Sequence, residues 1–168
     1  MLVIIKRQIF DSLDDIQLVW TCIEPTIQQI RGKNFVVKSE VYAHLTTGQR
    51  ALLMFQMLYG HTSRGIEEFY CHQSHLLSNK GVWEQLKKGM QYFGDSGMIQ
   101  LIEEMDIVYQ CVKTEKLGSE EQHNKLIETI RQINKTLFDI LPTKINLIGN
   151  YIRNNPNEFV QFEDSNNF

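Results

Sequence analysis

The chain has 168 residues, 42% of them hydrophobic, with 17 basic and 20 acidic side chains and a net charge of -3. That length suits one core-forming domain, and the charge is far from the polycation that general phosphate-backbone binding requires. Three cysteines, Cys22, Cys71 and Cys111, are too few and too scattered for a disulfide framework and suggest a reducing compartment.

The first residues, Met-Leu-Val-Ile-Ile-Lys-Arg, place an apolar run before the charges, the reverse of a secretory leader. No run approaches the roughly 20 apolar residues that span a bilayer, so a cytoplasmic protein without membrane contact is expected. Residues 1–11 read as an N-terminal arm, with a short extended segment as an option.

From residue 12 the period is helical. Leu13, Ile16, Trp20, Ile23, Ile27 and Ile30 step by three and four, Ser12 with Asp15 has capping spacing, and Pro25 predicts a kink or a fresh start. Residues 33–45, with Phe35-Val36-Val37, lack a clear period and read as a connector. Thr46 and Gln49 have capping-box spacing ahead of Leu52, Phe55 and Leu58, and Gly60 is the expected stop. Ile66, Phe69 and Tyr70 mark a helix after Gly65. Val82, Leu86, Met90 and Phe93 mark the next, ended by Gly94.

Ser96 is the expected cap of a long helix with the face Met98, Leu101, Ile102, Met105, Val108, Tyr109 and Val112; Ile99 and Ile107 lie off that face. After the break at residues 116–119, Glu120 and Glu121 suit the positive end of a helix dipole. The following stripe, Leu126, Ile130, Ile133, Leu137 and Leu141, is expected to end at Pro142. A last helix carries Ile145, Ile148 and Ile152, and residues 161–168 read as a disordered tail. The sum is an all-α, single-domain bundle of about seven helices over residues 12–160.

The order of motifs resembles a family of small all-α bacterial domains, mostly of unknown function, named after a DNA-mimic protein. The resemblance rests on Leu45-Thr46-Thr47-Gly48-Gln49-Arg50, Arg64-Gly65-Ile66-Glu67-Glu68-Phe69-Tyr70, Asn79-Lys80-Gly81-Val82-Trp83, Phe93-Gly94, Leu137-Phe138, Tyr151-Ile152-Arg153 and Glu158-Phe159. It implies a non-enzymatic protein that engages another protein, such as a basic DNA-binding one, through carboxylates arrayed like phosphates.

No residue set here dictates a chemistry. The densest acidic region, Asp95, Glu103, Glu104, Asp106, Glu115, Glu120 and Glu121, is the expected protein-binding surface. Its ordinary reading is a solvated helix face. Glu68, Cys71, His72 and His75 have metal-ligand residue types at helical spacing, which gives the competing reading of a metal-dependent or cysteine-based hydrolase. A closed zinc site needs four converging ligands, however, and the ordinary reading is exposed His and partly buried Cys on one helix. No cofactor is expected. The glycines punctuate helices without forming a phosphate loop, and direct nucleic-acid binding has no basic patch to carry it. Self-association stays open.

Overall fold

Proline occurs twice inside helices of this protein, and neither occurrence ends one. The computed structural model describes residues 2–114 and 119–163. Among these, β1 (Val3–Ile5) is followed by eight α-helices: α1 (Arg7–Ser12), α2 (Asp15–Ile30), α3 (Phe35–Ala43), α4 (Thr47–His61), α5 (Ile66–Leu77), α6 (Lys80–Tyr92), α7 (Ser96–Thr114) and α8 (Glu120–Asn154). A 3-10 turn (Pro156–Glu158) and β2 (Val160–Phe162) close the order. The fold is all-α, and the strands form one parallel pair, Val3 opposite Val160 and Ile5 opposite Phe162.

Several local expectations are corrected. The extended segment allowed for in the N-terminal arm is present as β1, and what was not expected there is the short helix α1, which buries Phe10. Ser12 does not cap α2; its hydroxyl donates to Ile9 O at 2.7 Å, and the capping box belongs to Asp14 and Gln17. The buried face of α2 is Leu18, Val19, Cys22, Ile23 and Thr26, leaving Ile16 and Trp20 exposed, and the helix continues through Pro25. Residues 33–45, expected as a connector, contain the helix α3, which starts where the Asn34 side chain accepts from Val37 N at 3.1 Å. Gly60 lies inside α4, not at its end.

Asp95, not Ser96, caps α7: its Oδ1 accepts from Met98 N at 3.1 Å. The two helices expected around Pro142 are one helix of 35 residues. Strand β2 extends past residue 160 into the expected tail; residues 164–168, where the rest of that expectation falls, lie outside the described residues.

The chain sorts into two compact units. The first comprises Met1–Leu53 and Thr143–Phe168. Its core includes Phe10, Leu18, Ile23, Leu52, Ile148, Ile152 and Phe159, all at most 2% exposed. Here the Thr46/Gln49 capping box forms as expected, with both reciprocal bonds at 3.1 Å. The Thr46 hydroxyl also donates to Glu158 O at 2.6 Å, and Gly48 N donates to the Glu158 carboxylate at 3.2 Å. A Cβ on Gly48 would stand 2.8 Å from the Phe159 ring, so glycine is required by close approach.

The second unit is Met54–Pro142. Phe69, Trp83, Tyr70 and Tyr109 form its aromatic centre, with Trp83 and Tyr109 rings 5.8 Å apart and Tyr70 and Tyr109 rings 5.3 Å apart. The expected face of α7 is buried from Met98 to Tyr109, while Val112 is exposed.

Candidate functional site

The described residues expected at the acidic surface lie in the second unit, on α7, at its start and on α8. Asp95 is 7% exposed and serves as a cap, so it is not part of a partner surface. Glu103 and Glu104 are exposed on α7, and Asp106 is half-buried, accepting from Gln110 Nε2 at 3.0 Å. Glu120 and Glu121 are exposed in the first turn of α8. Glu115 lies outside the described residues. Lys87 partly compensates Glu103 at 3.9 Å while pairing with Glu84 at 2.6 Å. The hydrogen bond to Glu84 is the main reason its ammonium is held above the ordinary range.

On α7, Ile107 follows Glu103 by four residues and Glu104 by three, so the three side chains are surface neighbours. Ile107 is 65% exposed. Carboxylates and a solvent-facing isoleucine thus share one patch of helix.

The four residues of the competing hydrolase reading remain on α5 without converging. Glu68 faces His72 at 3.9 Å and lies within 3.4 Å of the Ser63 hydroxyl. Cys71 and His75 are exposed. Among the described residues, no group of three or more His, Cys, Asp or Glu could hold a metal ion. A different neighbour appears instead: the His61 ring stands edge-on to His72, centroids 5.7 Å apart. Burial, reinforced by His72 and opposed by Glu68, lowers the His61 pKa. The buried Cys22 thiol is pushed up to about 12 by desolvation, which removes it as a nucleophile at neutral pH.

Two features were not anticipated from the sequence. Asn134 caps α5 from α8: its Oδ1 accepts from Ile66 N at 2.8 Å, and its Nδ2 donates to Glu67 at 3.0 Å. The preceding Gly65 has φ +111°, and a Cβ there would stand 2.9 Å from Asn134, so a residue without a side chain lets another helix supply the cap.

The second feature is a groove of about 670 Å³, walled by Tyr70 and Cys71 of α5, Tyr109 and Val112 of α7, and Leu126 and Ile130 of α8. Glu67, Lys113 and His123 supply its polar edge. The Tyr70 hydroxyl donates to Met105 O at 2.7 Å, and burial, with the Glu67 and Asp106 charges, raises its pKa. The Tyr109 hydroxyl donates to Ser74 O at 3.3 Å. With both hydroxyls occupied, the tyrosines offer the groove mainly carbon.

Compared with protein-family models, curated proteins and solved structures, the chain matches none. Among the described residues, no helix is long and apolar enough to cross a membrane.

Proposed function

We propose that this chain is a cytoplasmic, non-enzymatic protein-interaction module that takes a basic partner on the exposed side of α7. The observation that carries the reading is the patch of Glu103, Glu104 and Ile107, in which apolar area is bordered by uncompensated or partly compensated carboxylates. Apolar contact supplies affinity at such a surface, and the acids supply steering and choice of partner. Charge across the second unit agrees: residues 54–142 carry twelve acidic and nine basic side chains, the remainder eight of each.

A DNA-binding protein is the narrower form of this proposal. The family resemblance suggests it, with the exposed acids standing in for backbone phosphates. The test is capture by the tagged protein from its native lysate at low and moderate salt, beside a variant carrying E103K, E104K, E120K and E121K. A stoichiometric basic partner held by the native protein, lost from the variant and weakened by salt, supports the reading. Equal capture by both proteins overturns it. Competition by duplex DNA for the captured partner then separates DNA mimicry from other acidic-surface binding.

A further inference from the structure

We infer that the groove among α5, α7 and α8 binds an amphiphilic carboxylate: an apolar body lying along the groove with one anionic head at the Lys113 end. This goes beyond the acidic-face reading and is independent of it. The groove volume, about 670 Å³, falls in the range of small-molecule sites, which pair an apolar lining with a few placed polar groups.

The two ends differ in what they can accept. At one end the Glu67 carboxylate already accepts from Asn134. His123 precedes Asn134 by eleven residues on the same helix, roughly 16 Å along its axis, so it marks the other end. Lys113 shares the groove edge with it and has no acidic partner among the described residues. Lys113 and His123 are exposed at the groove's rim, so a ligand carboxylate would meet an ammonium and an imidazole at the solvent side while its body lies on carbon, and a charge-assisted hydrogen bond to the ammonium is stronger than a neutral one. Between the ends, Val112 and Ile127 are 44% and 42% exposed. A bound chain would cover them.

The test uses decanoate, decyltrimethylammonium and decanol below their micelle concentrations, titrated into the full chain by calorimetry and by amide NMR. Saturable decanoate binding is expected, with shifts at Cys71, Val112 and Ile127. Lys113→Glu should weaken decanoate at least about tenfold, the worth of a charged hydrogen bond, and leave decanol binding unchanged. Ile127→Glu should abolish both, while an unchanged circular dichroism spectrum and melting midpoint show the fold intact. E103K with E104K should leave decanoate binding unchanged, separating this site from the proposed partner surface. Preference for the cationic amphiphile, indifference to Lys113→Glu, or no saturable binding, as expected if the groove seats another protein's helix, overturns the inference.

Discussion

At the scale of single residues, the side chain that caps α5 is one the sequence does not advertise. Asn134 supplies the cap that Gly65 cannot, and reaches Glu67 with its other atom. Asn134→Ala is therefore expected to cost about 1–2 kcal/mol, read from the urea midpoint. Asn134→Asp should keep the acceptor for Ile66 N but set a carboxylate against Glu67, and so recover only part of the loss. An unchanged midpoint in both variants would show that the cap is dispensable. Thr46 and Gln49 were legible because their bond spans three residues; Asn134 lies 68 residues from Ile66, whose N–H donates to it, and leaves no local spacing to read. Ser12 with Asp15 and Asp14 with Gln17 both have the right spacing, and only the short helix α1, which ends at Ser12, decides between them.

A proton is also a residue-scale probe. Folding lowers the His61 pKa from its ordinary 6.5, so the folded state disfavours the imidazolium. Above 6.5 the ring is neutral in both states and its full contribution is present. As pH falls below 6.5 the unfolded chain takes the proton first, and stability declines until the folded pKa is passed. His61→Gln should flatten that part of the stability curve below pH 6.5. A slope unaffected by the substitution would place the titration elsewhere.

At the scale of elements, the prolines explain why the helix boundaries around them were misplaced. Pro142 was read as a boundary, and Pro25 as a kink or a fresh start, because proline lacks an N–H and crowds the carbonyl four residues earlier. Yet Leu137, Leu141, Ile145, Ile148 and Ile152 continue one buried stripe across Pro142, and burial of that stripe outweighs the local penalty. Pro142 and Phe138 are both exposed, so water can satisfy the carbonyl that the missing N–H leaves open. Pro142→Ala is then expected to stabilise the protein by about 1–3 kcal/mol, seen as a higher urea midpoint with an unchanged m-value. A lower midpoint would mean that the ring's own contacts matter more than the missing bond. Helix α3 was missed for the opposite reason: Phe35-Val36-Val37 favours extension by composition, no residue of α3 is buried to set a stripe, and Asn34 was the one readable start signal.

At the scale of the whole molecule, two segments far apart in the sequence acquire physical meaning where they meet. Leu45-Thr46-Thr47-Gly48-Gln49-Arg50 and Glu158-Phe159 lie 110 residues apart, and they form one joint in the first unit, where Thr46 and Gly48 donate to Glu158 and Gly48 leaves room for the Phe159 ring. Beyond that joint, β2 carries Val160, 2% exposed, against β1, and Phe162 stands edge-on to Phe10 at 5.3 Å. Sequence periodicity could not reveal this arrangement, since strands of three residues are too short to show alternation. The joint makes Phe159 and Val160 part of the first unit's core. Removing residues 159–168 should therefore cost the buried area of Phe159 and Val160 together, on the order of 3–5 kcal/mol, and strip hydrogen-exchange protection from β1, α1 and α2. Gly48→Val tests the same joint without shortening the chain, because its branched side chain must displace the Phe159 ring. If both variants kept native protection in α2, the pairing of the two chain segments would be incidental to the fold.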